Sequence, residues 1–357
     1  VTTYLLAGGG TAGHVNPLLA VADGLRARDP EAQILVLGTK EGLEARLVPE
    51  RGYELETVER LPFPRRPDRA AVGFPARFRR AVGHVRRVIR DRDVSVVVGF
   101  GGYASAPAYV AARRAGVPFI VHEANARPGL ANVLGARRAA AVGVAFAGTP
   151  LRRSRVVGMP LRREIVDLDR SALRAEAAGH YGLDPARPTL LVFGGSLGAL
   201  RLNEAFAGSY ADVLGAGYQL VHITGERSDW TDPGAPGYVV KKYEDRMDLA
   251  FAMADVIVSR AGAATVSEIS ALGIPAVYVP YAVGNGEQRL NAASAVAAGA
   301  AVLIEDASFT ADRVRAAILP LLGDPVRLDA MRVAAASVGS RRGTEDLIAL
   351  IDGALAP

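Results

Sequence analysis

The first apolar run of the chain, Tyr4-Leu5-Leu6-Ala7, leads directly into Gly8-Gly9-Gly10-Thr11-Ala12-Gly13-His14, and then into a helical pattern from about Val15 to Arg28. A strand, a glycine turn and a helix start in this order make a βα unit. The unpaired first-turn amides of such a unit attract anions, and its glycines let a ligand approach the backbone. The arrangement returns at mid-chain, where Thr189-Leu190-Leu191-Val192-Phe193 runs into Gly194-Gly195-Ser196-Leu197-Gly198-Ala199 and a further helix. Two such starts predict two similar halves, and that doubling constrains the fold more than either turn does.

The chain has 357 residues, enough for two domains that each bury a core. Apolar runs at Gln33–Leu37, Val94–Gly99, Pro118–His122 and Ala141–Phe146 read as strands, with helices such as Ala106–Ala115 between them. The second half repeats the scheme at Gln219–Thr224, Gly237–Val240, Val256–Ser259, Ala276–Val279 and Ala301–Ile304. Continuous apolar strands separated by helices indicate parallel sheets covered on both faces. Val156-Val157-Gly158-Met159-Pro160-Leu161-Arg162-Arg163 reads as a linker, followed by a polar helix from about Ser171 to Tyr181. The expected fold is therefore α/β, with two doubly wound parallel-sheet domains (1–160 and 161–340) facing across a cleft at the carboxyl ends of their strands.

Composition narrows the function. The chain has no cysteine, which excludes disulfides, thiolate nucleophiles and cysteine-based metal sites. No apolar run reaches the roughly 20 residues that span a bilayer. No basic stretch leading into a signal-type apolar core opens the sequence, so a soluble or peripheral protein is expected. The net charge of +5 favours phosphates, nucleic acid or anionic lipid as partners. Few aromatics and no nucleic-acid motif argue against nucleic acid.

Gly8, Gly10 and Gly13 satisfy the dinucleotide pattern G-x-G-x-x-G, so a nicotinamide oxidoreductase enters consideration. Such a site wants an acidic residue about 20 positions on, at the tip of the second strand. Here that strand ends Leu37-Gly38-Thr39-Lys40, and Glu41 comes late for the role. His14 is more telling. The helix macrodipole disfavours a cation at its N-terminus, so the imidazole should stay neutral and able to accept a proton. A capping or packed histidine is the alternative.

In the second half, Ser259-Arg260-Ala261-Gly262-Ala263-Ala264-Thr265-Val266-Ser267-Glu268 joins a strand to a helix through small residues. Amides around Ala263 to Thr265 and the Thr265 hydroxyl could cradle a diphosphate, and the Glu268 carboxylate could hold a ribose diol. Acidic residues also favour helix starts for dipole reasons alone. Gly284-Asn285-Gly286-Glu287-Gln288 forms a polar loop whose side chains could read sugar hydroxyls.

In order along the chain, Gly9–His14, Gly99-Phe100-Gly101-Gly102-Tyr103, His122-Glu123-Ala124-Asn125, Gly158-Met159-Pro160-Leu161-Arg162, Gly194–Ala199, the 259–268 segment and Glu287-Gln288 together resemble the MurG family of peptidoglycan N-acetylglucosaminyltransferases. The resemblance covers nearly the whole chain. It implies a GT-B fold of two Rossmann-like domains, with a C-terminal helix (341–357) crossing back to the first. It implies UDP-N-acetylglucosamine as donor and lipid I as acceptor, giving lipid II. It also implies a peripheral place on the cytoplasmic face of the bacterial membrane, anionic lipid as a partner, and cell-wall synthesis or division proteins as further partners. Thr11, Ala12, Gly13, Asn125, Arg162, Ser196, Ala263, Ala264, Thr265, Val266, Ser267, Glu268 and Gln288 fall on the family's donor-binding motifs. Gly9, Gly10, Gly101, Gly102 and Tyr103 fall on the acceptor side, and His14 falls on the general base. Ala12, Ala124, Met159 and Leu197 stand where the family commonly has glycine, glutamine, asparagine and glutamine, and Glu287 where many members have alanine, cysteine or glutamine.

The reaction so implied is an inverting displacement in which His14 takes the proton of the MurNAc 4-hydroxyl. No metal or cofactor is called for. Asp91-Arg92-Asp93 and Asp167-Leu168-Asp169 carry the Asp-x-Asp pattern of metal-dependent transferases, but in charged stretches away from the glycine turns. Phe74, Phe78, Val82, Val85 and Ile89 recur at helical spacing with Arg77, Arg80 and Arg87 off the stripe, as in a helix packed on its own sheet. The Phe63 to Phe74 segment, whose prolines oppose a helix, is the expected membrane contact. Other GT-B transferases, a nicotinamide oxidoreductase and a non-catalytic UDP-sugar-binding subunit are the competing readings.

Overall fold

The structure, a computed structural model, describes residues 1–64, 69–195, 198–281 and 286–355. It divides into two compact units, Val1–Arg162 with Arg341–Pro357, and Arg163–Ser340.

The first unit is built on seven parallel strands: β1 (Thr3–Ala7), β2 (Gln33–Gly38), β3 (Glu54–Thr57), β4 (Val96–Gly99), β5 (Phe119–Glu123), β6 (Ala141–Val144) and β7 (Ser154–Val156). Their order in the sheet is β3-β2-β1-β4-β5-β6-β7. Helices α1 (Ala12–Arg28), α2 (Glu44–Glu50), α3 (Arg69–Asp91), α4 (Ser105–Ala115) and α5 (Leu130–Ala136) connect them. Side chains alternate across a strand. Leu5 and Ala7 therefore join the core under α3 and α4, while Tyr4 and Leu6 meet Val15 and Leu18 of α1 on the opposite face. Both faces are covered, which is why these strands read as unbroken apolar runs.

The C-terminal helix Gly343–Leu355 belongs to this unit, packing beside α1. Its Leu347 and Ile351 are fully buried, each contributing about 1.5–3 kcal/mol of apolar burial. Close approach is enforced by small residues: a Cβ on Gly24 would stand 2.8 Å from Thr344, and one on Gly343 2.1 Å from the Met159 carbonyl oxygen.

The second unit holds six parallel strands: β8 (Thr189–Phe193), β9 (Gln219–Ile223), β10 (Tyr238–Lys241), β11 (Val256–Ser259), β12 (Ala276–Tyr278) and β13 (Ala301–Leu303). Their order, β10-β9-β8-β11-β12-β13, repeats that of the first six strands. In each sheet the chain winds outward from a central strand, then returns to start again on its other side. The loops that follow those two central strands stand side by side at the carboxyl ends of the sheet, the switch point at which folds of this order bind ligands. The turns after β1 and β4 share this place in the first unit, and those after β8 and β11 share it in the second.

Three expectations are corrected. Helix α1 starts at Ala12 rather than Val15, because Thr11 is extended (φ −126, ψ 157) and its carbonyl accepts the His14 and Val15 amides, so His14 lies inside the first turn. The chain is still in the first sheet at Val156, where the linker was expected to begin. Strands β3 and β7 escape a pattern search because each is a short edge strand with one neighbour and few buried side chains. Finally, Phe74, the end of the segment expected not to be helical, lies within α3, which also contains Pro75. Pro75 forfeits one helical hydrogen bond, which the packing of Phe74, Phe78, Val82, Val85 and Ile89 on the sheet below outweighs. Arg65, Arg66 and Pro67 lie outside the described residues.

Candidate active site

In the first unit the turns after β1 and β4 are pressed together. A Cβ on Gly102 (φ +80) would stand 2.5 Å from the Gly9 carbonyl oxygen, and one on Gly101 (φ +95) 3.0 Å from His14 Nε2. Glycine alone permits both approaches at these backbone angles. Ser105, fully buried at the start of α4, ties the second turn to β1. Its hydroxyl lies 2.9 Å from the Ala7 carbonyl and accepts the Gly101 N–H at 3.0 Å.

His14 is half-buried between these turns, with Nδ1 3.2 Å from the Gly9 carbonyl oxygen. A carbonyl oxygen only accepts, so Nδ1 carries the proton and donates it there, leaving the Nε2 lone pair bare. Burial holds His14 below the ordinary histidine value, opposed by the Glu123 charge, the Gly9 carbonyl and the Glu44 charge. A neutral imidazole with its Nε2 unprotonated is suited to take a proton near pH 7.

Two buried carboxylates that the sequence reading did not single out organise this region. Glu123, at the end of β5, accepts the Asn125 amide at 2.9 Å, the Gly129 amide at 3.0 Å and Asn132 Nδ2 at 2.9 Å, fixing the loop that carries Asn125. Glu44, at the start of α2, accepts the Gly10 amide on Oε2, while Oε1 accepts the amide and hydroxyl of Thr39, each at 2.8 Å. The Gly10 amide therefore points inward to Glu44. Tyr103 lies under the Arg60 guanidinium, 5.1 Å from ring centroid to cation.

In the second unit a cavity of about 1290 Å³ opens at the switch point. Gly194, Gly195 and Gly198 line it, together with Arg201, Arg227, Trp230, Arg260 and Gln288. Gln288 is held by the Tyr281 amide, which donates to its Oε1 at 2.8 Å. Arg260 is buried, donates to the Val279 carbonyl at 3.0 Å and pairs with Asp306. Arg201, Arg227 and Trp230 were not singled out from the sequence, since each stands in an ordinary polar stretch. Ser196, Gly284 and Asn285 lie outside the described residues.

Ala263, Ala264, Thr265, Val266, Ser267 and Glu268 open the helix Ala263–Ala271 but do not line this cavity. The Val266 side chain is buried in the core, and its amide donates to the Gly262 carbonyl at 2.9 Å. Ala263 is buried too, so it can serve a ligand only through its backbone. Arg162 ends the first segment of the first unit, half-buried. Of the Asp-x-Asp residues, Asp91 pairs with Arg90, Asp167 pairs with Arg163, and Asp169 caps the helix Arg170–Tyr181.

The helix starts at the switch points lack the acidic side-chain caps found on two other helices. Arg170–Tyr181 and Pro325–Val338 are capped by Asp169 and Asp324. Those after β1, β8 and β11 start from Thr11, Ala199 and Gly262, with no side-chain cap and no acidic residue in the first turn. Uncapped first turns of this kind are receptive to phosphate.

A repeated parallel sheet of this order, with a glycine turn and a helix start at the switch point of each unit, is the GT-B arrangement of nucleotide-sugar glycosyltransferases. Family models agree: the glycosyltransferase family 28 N-terminal domain matches residues 4–144 and its C-terminal domain matches 189–347. The UDP-N-acetylglucosamine–N-acetylmuramyl-(pentapeptide) pyrophosphoryl-undecaprenol N-acetylglucosamine transferase of Clavibacter michiganensis subsp. michiganensis is 61% identical over 357 residues, covering 100% of this chain and 97% of that protein. The transferase of the same name from Streptomyces coelicolor is 49% identical, covering 99% and 98%. The crystal structure of Acinetobacter baumannii MurG superposes with a TM-score of 0.80 at 27% identity, covering 99% of this chain and 100% of that one. The chain belongs to glycosyltransferase family 28 and, within it, to the MurG family of N-acetylglucosamine transferases.

Proposed function

We propose that this chain transfers N-acetylglucosamine from UDP-N-acetylglucosamine to the MurNAc 4-hydroxyl of lipid I, forming lipid II for peptidoglycan synthesis. The observation that carries this reading is full-length identity of 61% to a transferase named for that reaction. Such identity sets aside the nicotinamide oxidoreductase and the unrelated GT-B transferases raised by the glycine turns alone. The test is transfer of radiolabel from UDP-N-acetylglucosamine to a synthetic lipid I analogue. Absence of labelled product from folded protein overturns the reading.

In this mechanism His14 Nε2 removes the hydroxyl proton as the oxygen attacks the anomeric carbon. The new C–O bond forms as the bond to the diphosphate breaks, inverting the α-linkage to β, and UDP leaves with the electron pair. The donor lies against the second unit, where Ala263, Ala264 and Thr265 offer first-turn amides to the diphosphate, Glu268 accepts from the ribose diol, and Ser196, Ser267 and Gln288 contribute polar contacts. In the first unit, Thr11, Ala12, Gly13, Asn125 and Arg162 are the residues read as donor-binding. Gly9, Gly101, Gly102 and Tyr103 shape the seat of the acceptor. The reading of Arg162 and the helix starts as stabilisers of the leaving diphosphate rests on their charge and polarity.

The enzyme works at the cytoplasmic face of the membrane in this reading. Contact in this reading is peripheral; among the described residues no helix is long and apolar enough to cross a bilayer. A groove of about 640 Å³ in the first unit supports this: Phe63, Phe74 and Phe78 line it with Val110 and Leu134, and Arg113, Arg114 and Arg138 flank them. Phe74 lies 5.5 Å from Phe63 and 5.6 Å from Phe78, ring to ring. Apolar rings bordered by arginine suit an anionic lipid surface.

A further inference from the structure

Glu44 is fully buried, and three glycines leave the room it occupies. A Cβ on Gly9, Gly38 or Gly42 would stand 2.2, 2.4 or 2.0 Å from the nearest atom of its side chain. Its first oxygen is saturated by Thr39, and its second accepts one group, the Gly10 N–H at 2.8 Å. That N–H belongs to the same peptide as the Gly9 carbonyl, and a trans peptide points these two groups in opposite directions. The carbonyl end accepts His14 Nδ1–H at 3.2 Å. A single peptide plane is thus held at one end by a buried carboxylate and at the other by the imidazole. Hydrogen bonds in such a chain polarise one another, so a charge-assisted bond at the N–H strengthens the carbonyl as an acceptor.

We infer that Glu44 is a positioning residue for His14, acting through the Gly9–Gly10 peptide to fix the imidazole with Nδ1 protonated and Nε2 bare. The relay moves no proton: the one taken at Nε2 stays on the ring, and the Nδ1 proton stays on Nδ1, hydrogen-bonded to the Gly9 carbonyl oxygen. Glu44 has a second effect through space, since its charge and that of Glu123 both favour protonation of His14. His122 is the remaining titratable neighbour and interacts with His14 in the opposite sense. As catalysis, the inference rests on His14 as the base; as structure, it stands on the tautomer alone.

The test compares Glu44→Gln with Thr39→Val in full-length protein. The Gln variant cannot accept from both ends of the cradle, whereas the Val variant disturbs the same cradle without touching the Gly10 link. Nitrogen-15 NMR of the His14 ring reads the tautomer, and the pH profile of kcat reads the base. The expected result for Glu44→Gln is loss of the single Nδ1–H tautomer, an acid limb moved to lower pH, and kcat down by about 10- to 100-fold. The KM for UDP-N-acetylglucosamine should stay within about twofold, and Thr39→Val should keep the wild-type tautomer and limb. An unchanged His14 tautomer in folded Glu44→Gln overturns the inference, as does an equal change in Thr39→Val. If His14→Ala turned over at the wild-type rate, the base reading would fail while the tautomer measurement still decided the role of Glu44.

Discussion

Adding one methyl group at Gly102 tests whether the interlock of the two glycine turns sets the reactive geometry. The Cβ of Gly102→Ala would lie 2.5 Å from the Gly9 carbonyl oxygen, against an ordinary contact of 3.4 Å, so the carbonyl or the turn must give by roughly 0.9 Å (3.4 less 2.5). That shift breaks a His14 bond already 3.2 Å long. Alanine at φ +80 adds about 1–2 kcal/mol of backbone strain, and the lost bond about 1 kcal/mol more. Misplacing a catalytic group by close to an ångström costs on the order of 10²-fold in rate. Gly148→Ala separates the terms, because Gly148 has φ +79 with nothing within 4 Å and so carries the strain alone. The assay is urea denaturation of both variants beside kcat for the lipid I analogue. Gly102→Ala should lose about 2–3 kcal/mol and about 10²-fold in kcat, and Gly148→Ala about 1–2 kcal/mol with kcat intact. Wild-type kcat in Gly102→Ala, with stability matching Gly148→Ala, would refute the idea that the Gly9 carbonyl positions His14.

His14→Ala should lower kcat by about 10²- to 10⁴-fold with little change in KM for the donor, and near wild-type turnover would remove His14 as the base. Glu268→Ala should instead raise the KM for UDP-N-acetylglucosamine by about tenfold or more through loss of charged hydrogen bonds, and an unchanged KM would remove it from the donor site. Burial pushes His122 down to about 4, and its Nδ1 has no hydrogen-bond partner among the described residues. The unfolded chain binds that proton near 6.5 and the native state only near 4, so its contribution is complete above pH 6.5 and fades as pH falls toward 4. The loss is on the order of 3 kcal/mol, and the pH dependence of the urea midpoint should flatten in His122→Asn. Flotation with anionic liposomes should weaken when Phe63 and Phe74 are changed to Ser, whereas binding equal to wild type would discard the groove as the membrane contact.

Legibility in the sequence followed burial. Strands with both faces covered, such as Leu190–Val192 and Val256–Val258, announced themselves as apolar runs, and their alternation with helices pointed to two parallel sheets. The edge strands Glu54–Thr57 and Ser154–Val156 did not, because an edge is made by the ladder of its neighbour rather than by its own pattern. Phe74 and Pro75 show the same limit from another side. A local rule against proline in a helix yielded to five apolar side chains with a sheet to pack on.

From residue order alone came the two strand–turn–helix starts, the family, and therefore the reaction, because these depend on local spacing and on motifs in series. What each turn does with its groups was decided by tertiary structure. Gly10 reads as a phosphate-binding amide until Glu44, from a helix more than thirty residues away, is seen to take its N–H. Val266 reads as one residue of a donor motif, and only the fold shows that its side chain lies in the core. His14 reads as a neutral imidazole from its helix, but which nitrogen is bare depends on a carbonyl pinned between two loops distant in sequence. Hydrogen-bond direction and burial are set by what folds alongside a residue, and a linear pattern carries neither.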